Sequence, residues 1–361
     1  MVSATLPQIR LADVLHVGRQ KAASDIHFVP GLCPALRVDG ELQFLTGSPL
    51  SADDTMEIAR SLLESEALAR LEVGGDVSAT RVADDRLVLR VHAFRGSQGC
   101  ALAIRLLSKR VPPLASLHLP PAVAALAQRD RGLVIFAGPT GSGKSTSLAS
   151  LIAEIGTASA RRIITIEDPI EYGYESIRSL ITQREVGRDT PSFDAALVGT
   201  LRADPDVIMV GEMRDNATMR AALTAAETGH LVFTTLHTGS AVQTIERIVD
   251  AFGGDEQVQV RSQLAQSLSA VVCQRLVQRK HGPGRRAAVE ILLVNDAVRT
   301  MIRESKTHLI RNAMTTGRQA GMQTLEHHLN ELVLGDEIDR EAAWRVSERL
   351  EDFSGARQTG S

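Results

Sequence analysis

Cysteine is scarce in this sequence: Cys33, Cys100 and Cys273 are the only three in 361 residues. They lie far apart, form no C-x-x-C pair and leave an odd count for disulfides, so three reduced thiols are expected. Aromatic residues make up only 3% of the chain, which leaves few rings for stacking on bases and argues against a reader of single-stranded nucleic acid. The formal net charge of −3 supplies no basic field that demands a polyanion. No apolar run approaches the roughly 18 to 20 residues of a membrane span, and Met1 to Arg10 lacks the basic-then-apolar layout of a secretory leader. The chain is therefore expected to be cytoplasmic and to meet a membrane only through partners. Internal repeats and low-complexity tracts are also lacking.

What is present divides into parts. The length is enough for two or three domains. Over the first hundred residues, Leu11, Val14, Leu15 and Val17 mark a short helix, Asp25 to Val29 a strand, and Ala35 to Val38 a strand turned at Asp39-Gly40. Ser51, followed by acids in the first turn, caps a helix that runs through Leu62 and Leu63. Arg86 to Phe94 and Ala101 to Leu107 read as strands paired around the turn at Gly96 to Gly99. Val111-Pro112-Pro113 breaks this pattern, because proline cannot donate to a ladder and disfavours helix at the residue before it. An N-terminal domain over residues 1–110, a linker over 111–121 and a second domain over 122–361 are expected. In the second domain, apolar strands alternate with helices, the pattern of an α/β parallel sheet. From about Asp255 the chain reads as largely helical, and Gly355 to Ser361 as a frayed polar tail.

Four apolar runs of the second domain end in polar groups. Leu133 to Phe136 leads into Gly138-Pro139-Thr140-Gly141-Ser142-Gly143-Lys144-Ser145, with Thr146 next; Ile163 to Ile166 leads into Glu167-Asp168-Pro169. Val207 to Val210 leads into Gly211-Glu212, and Leu231 to Phe233 into Thr234, Thr235 and His237. Ligands of parallel α/β sheets lie outside the carboxyl ends of the strands, so these groups are expected to converge. The spacing from Gly138 to Ser145 is that of a phosphate-cradling P-loop, in which backbone N–H groups wrap the phosphates, Lys144 reaches the β and γ phosphates, and the Ser145 hydroxyl ligates Mg²⁺. The helix after it turns its positive end to the same anion. Glu212 ends a strand as a Walker B carboxylate does and is a second candidate ligand for Mg²⁺. Glu167 is a second acid, and the sequence leaves open which of the two activates water. His237 is placed to hydrogen-bond a γ-phosphate. His230, behind the helix C-cap Gly229, is counted with the nucleotide-binding residues. The remaining histidines, His327 and His328 among them, read as surface. ATP and Mg²⁺ are the expected cofactors.

The set Gly138 to Ser145, Ile166-Glu167-Asp168-Pro169-Ile170-Glu171, Asp204-Pro205-Asp206 through Gly211-Glu212-Met213-Arg214-Asp215, and Thr228-Gly229-His230 through Thr235-Leu236-His237-Thr238 resembles the secretion ATPases. These segments match that superfamily's Walker A, Asp box, Walker B and His box in order and spacing. Within it the chain is most similar to the PilT-like retraction ATPases of type IV pili. Ala23-Ser24-Asp25-Ile26-His27 and Arg37-Val38-Asp39-Gly40 resemble the opening of their N-terminal domain, and Asn295 to Lys306 and Gly321-Met322-Gln323-Thr324 resemble their C-terminal motifs. The resemblance implies a RecA-like ATPase core behind a smaller PAS-like α+β domain, a homohexameric ring, and twitching motility driven by pilus retraction. It implies work at the inner membrane through a pilus platform protein, and ATP bound between the two domains. Arg90 and Arg105 match the family's N-terminal arginines, which offset charge at the γ-phosphate and contribute on the order of 10³ to 10⁵ in rate. Val198 departs from the family, whose members often carry arginine there, whereas Arg202 is retained.

Three other readings compete. Assembly or type II secretion ATPases of the same superfamily usually carry a longer N-terminal region and a four-cysteine zinc site, and this chain has neither. A nucleic-acid motor on the same core is disfavoured by charge and by the lack of aromatics. A scaffold that binds nucleotide without hydrolysis is opposed by the intact Glu167 and Glu212.

Overall fold

The structure is a computed structural model and describes residues 10–84, 87–108 and 110–349. Arg86, expected to open a strand, and the tail from Gly355 to Ser361 lie outside the described residues. The chain forms two compact units, Met1–Arg110 and Val111–Ser361. Among the described residues no helix is long and apolar enough to cross a membrane.

The first unit runs α1 (Leu11–Gln20), β1 (Asp25–Phe28), β2 (Ala35–Val38), β3 (Glu41–Phe44), α2 (Ala52–Leu62), α3 (Ser65–Glu72), β4 (Val77–Asp84), β5 (Leu87–Gly96) and β6 (Gly99–Ser108). Its strands make one antiparallel sheet in the order β3-β2-β1-β6-β5-β4. Alternation decides which face is covered: Ile26 and Phe28 of β1, Leu89 and Val91 of β5 and Ile104 of β6 enter the core, which also holds Ile58 and Leu62 of α2. Ser51 starts α2 with a reciprocal capping box, its Oγ accepting from Asp54 N at 3.1 Å while its own N donates to the Asp54 carboxylate at 2.7 Å. Such caps contribute about 1 kcal/mol. On the opposite face of the sheet Asp25, His27, Arg37, Arg90, His92 and Arg105 lie together by register.

The second unit begins earlier than the expected linker allows. Residues 111–121 are part of it: Ser150 Oγ donates to Pro112 O at 2.8 Å, a 3₁₀ turn covers Leu114–Leu117, and Leu114 and Leu119 pack on its core. There follow α4 (Pro121–Ala124), β7 (Gly132–Ala137), α5 (Lys144–Ala158), β8 (Arg162–Glu167), β9 (Leu180–Glu185), α6 (Phe193–Thr200), β10 (Val207–Val210), α7 (Asn216–Glu227) and β11 (Leu231–Leu236). The remainder is α8 (Ala241–Asp250), α9 (Gly254–Ser267), β12 (Leu268–Gln278), β13 (Arg285–Leu293), α10 (Asp296–Arg303), α11 (Ile310–Thr316), α12 (Leu325–Leu334) and α13 (Arg340–Val346).

Its sheet has the order β13-β12-β7-β11-β10-β8-β9, parallel except for the β12–β13 pair. Helices cover both faces, so β7, β10 and β11 are buried at every position and read as unbroken apolar runs. Val134 and Phe136 meet Leu148, Leu151, Ile152 and Ile155 of α5, while Leu133 and Ile135 belong to the opposite core with α6, α7 and α8.

The chain beyond Asp255 corrects the expectation of a largely helical end. Residues 268–293 form the two strands that extend the sheet beside β7. Polar Ser269, Gln274, Arg275 and Glu290 interrupt these apolar runs, yet all but Arg275 are buried, because the strands are enclosed on both faces. His328 is another correction: it is buried and its Nδ1 accepts from Val289 N at 2.9 Å. Burial, with Arg286 nearby, holds its pKa down at about 4, so it packs as a neutral ring. His27 is likewise half-buried, with Nε2 enclosed.

Candidate functional site

Parallel strands put the ends of β7, β8, β10 and β11 on one edge of the sheet. After β7 the chain turns through Gly138 to Gly143 into α5. Gly138 has φ +141°, and a Cβ there would lie 2.4 Å from Gln274 O; at Gly143, φ is +87° and a Cβ would lie 2.7 Å from Gln274 Nε2. Only glycine fits where the loop is both left-handed and pressed against β12. The wall on that side is Gln274, whose Oε1 accepts from Ser147 Oγ at 2.9 Å and so ties the first turn of α5 to the strand.

Lys144 is the first residue of α5 and is buried. Its Nζ donates to Gly138 O at 2.6 Å and to Pro139 O at 3.0 Å. Burial lowers its pKa, and the Glu212 carboxylate opposes that shift. Ser142 Oγ is enclosed in the same loop without a partner among the described residues, whereas Ser145 is exposed. An unsatisfied buried hydroxyl beside N–H groups of a helix start is a place for an anion's oxygen.

The two acids differ in surroundings. Glu212, just past β10, is paired with Arg214 Nε at 2.8 Å and lies 3.3 Å from His237 Nε2. Arg214 also reaches Asp168 at 3.1 Å, joining the segments after β8 and β10. Glu167, the last residue of β8, is buried, and its Oε1 accepts from Thr165 Oγ1 at 2.6 Å and from Gln183 Nε2 at 3.1 Å. Desolvation raises its pKa against those hydrogen bonds. Glu212 is thus a partly exposed carboxylate held among cations, and Glu167 an enclosed one disposed to take a proton. Among the described residues no group of three or more His, Cys, Asp or Glu could hold a metal by itself. A Mg²⁺ ion shared between a hydroxyl, a carboxylate and phosphate oxygens needs no such cage.

Gly138 to Thr146, Glu167, Glu212 and His237 are therefore brought to one edge. His230 is not. It precedes β11, its carbonyl accepts from Gly132 N at the start of β7, and its Nδ1 lies 2.9 Å from Ala225 O. The six residues of β11 put it about 20 Å from the P-loop edge of the same chain. His230→Ala is expected to change ADP affinity by less than about twofold, since substitutions remote from a site rarely exceed about 0.5 kcal/mol; calorimetric titration with ADP checks this. Arg90 and Arg105 belong to the other unit, where they are direct cross-strand neighbours on β5 and β6. Arg105 Nε donates to Asp25 at 3.0 Å. Val198, on α6, is exposed, and nothing in the structure explains its departure from arginine. Gln183, Gln274 and Tyr172, whose hydroxyl lies 2.9 Å from Thr146 Oγ1, belong to the site and carry no motif that announces them.

A P-loop at a strand-to-helix turn, with two acids and a histidine on the neighbouring strand ends, defines a nucleotide hydrolase of the parallel-sheet type. The chain belongs to the type II/IV secretion system protein family, which matches residues 8–347, and it is an ATPase. It is 40% identical to the type IV pilus retraction ATPase PilT of Pseudomonas aeruginosa over 343 residues, which cover 95% of this chain and 99% of the relative. It is 42% identical to a twitching motility protein of Neisseria gonorrhoeae over 321 residues, 89% of this chain and 86% of that one. A crystal structure of the pilus retraction motor PilT with bound ADP superposes with a TM-score of 0.82 at 40% identity, covering 95% of this chain and 98% of that one.

Proposed function

We propose that the chain is the motor of type IV pilus retraction, using ATP and Mg²⁺ in a homohexameric ring to drive pilus disassembly and twitching motility. The observation that carries the reading is the convergence of Lys144, Glu212 and Glu167 on one sheet edge in a chain similar to a retraction ATPase over 95% of its length. The ring works at the cytoplasmic face of the inner membrane and engages a pilus platform protein, so membrane association comes through that partner and nucleic acid has no part.

In this reading the P-loop N–H groups and Lys144 hold the β and γ phosphates, and Lys144 exchanges its bonds to Gly138 O and Pro139 O for phosphate oxygens. Ser145 and Glu212 would hold Mg²⁺, which would supply neutralisation of phosphate charge. Water attacks the γ-phosphorus, the bond to the bridging oxygen of the β-phosphate breaks, and Glu167 takes the proton of the attacking water. His237, beside Glu212, meets the γ-phosphate. Arg90 and Arg105, direct neighbours on β5 and β6, offset phosphate charge, as their match to the family's N-terminal arginines implies.

Deleting the gene in a piliated host tests the task. Cells that keep surface pili but no longer twitch are expected. Bald cells would assign the chain to pilus assembly instead, and intact twitching with a secretion defect would assign it to secretion.

A further inference from the structure

The proposed base does not stand alone on its strand. In the parallel pair β8–β9, Thr165 is registered beside Gln183 and Glu167 beside Glu185. Residues two apart on a strand share a face, so these four side chains form a patch at the site edge. Within it the side-chain donors to Glu167 converge on a single oxygen, Oε1: the Thr165 hydroxyl at 2.6 Å and the Gln183 amide at 3.1 Å.

The Gln183 amide has a fixed sense. Its Nε2 also donates to Tyr172 O at 2.8 Å, and its Oε1 accepts from Tyr174 N at 3.2 Å. Rotating the amide by half a turn would set its oxygen against a carboxylate and a carbonyl and its nitrogen against an N–H, losing all three bonds. Tyr172 in turn contacts Thr146 of the P-loop helix through its hydroxyl. One side chain therefore links the acid, the segment after β8 and the start of α5.

We infer that Gln183 is a positioning residue for Glu167, fixing the rotation of its carboxylate and favouring its charged, proton-accepting form. The inference rests on the reading of Glu167 as base. Burial and the nearby Glu171 oppose that charge, whereas the Tyr172 and Tyr174 phenols, pushed up by burial, stay protonated and neutral. Glu185, also on that face, is occupied with Ile170 N at 3.2 Å and with Arg188. Asp168, next in the chain, is paired with Arg214. The Gln183 and Thr165 donors and the Glu171 backbone N–H are what stabilise the carboxylate.

The test is the pH dependence of steady-state MgATP hydrolysis by the full chain, for the wild type, Gln183→Leu, Thr165→Val and Glu167→Gln. A hydrogen bond to a charged acceptor favours the charged form, so its loss raises the pKa of the base and moves the acidic limb of kcat to higher pH. For Gln183→Leu a loss of about tenfold at pH 6 is expected, shrinking toward the alkaline plateau, with KM for ATP little changed. Thr165→Val moves the limb the same way and serves if the first variant fails to fold, which thermal melting monitors. A loss in kcat equal at every pH in both variants, while Glu167→Gln is inactive, overturns the positioning role. Wild-type turnover in Glu167→Gln overturns the assignment of the base itself.

Discussion

Lys144→Ala is expected to lower ATP turnover by about 10³-fold or more without unfolding the chain. Phosphoryl transfer spreads charge over the γ-phosphate oxygens and asks little covalent chemistry of the protein, so a cation held at the loop acts almost entirely on the transition state. Here that cation is the first residue of α5, buried against the carbonyls of Gly138 and Pro139 and facing the Glu212 carboxylate. No other basic side chain in the second unit is tied to the loop in this way among the described residues. The fold does not depend on it: burying an ammonium is itself unfavourable, which is why its pKa is lowered. Phosphate release by purified protein and a thermal melt check both halves. Turnover within tenfold of wild type would remove the P-loop from the mechanism.

The parts of this site that were legible in the sequence share a cause. Gly138 to Ser145 fixes its own geometry, because left-handed glycines, a buried strand before and an apolar helix after admit few alternatives. Glu212 and His237 were legible because each follows a run of buried residues, and parallel strands deliver such positions to one edge. The different surroundings of Glu167 and Glu212 were not, since they depend on burial and on Gln183 and Arg214, which approach from other segments. His230 shows the same limit from the other side. It and His237 bracket one strand, and a strand that brings one end to the site carries the other end away from it. The strands after α9 were hidden because Gln274 and Glu290, polar residues inside apolar runs, are buried for reasons of tertiary contact: Gln274 backs the P-loop and Glu290 caps a helix.

That cap yields the second large effect, a stability that falls as pH rises. Glu290 on β13 is buried opposite Cys273 of β12, and its Oε1 accepts from Ala241 N at 2.8 Å where α8 begins, just past the His237 loop. Burial raises its pKa to about 7; the Ala241 N–H and Arg311 pull it down, and Glu348 and Glu326 push it up. An unfolded glutamate ionises near 4.5. Between those values the native chain holds a proton that the unfolded chain has released, so stability is highest below about pH 4.5 for this group and declines until about pH 7. The gap corresponds to about 3 kcal/mol lost by neutral pH. Glu290→Gln keeps a carbonyl oxygen for Ala241 N and never ionises. It is therefore expected to melt with the wild type near pH 5 and above it by several degrees at pH 8. Comparing the two proteins at each pH cancels the titration of every other group. A variant less stable than wild type at pH 8 would mean that Arg311 holds Glu290 ionised in the native chain, and that the start of α8 is capped by a charge.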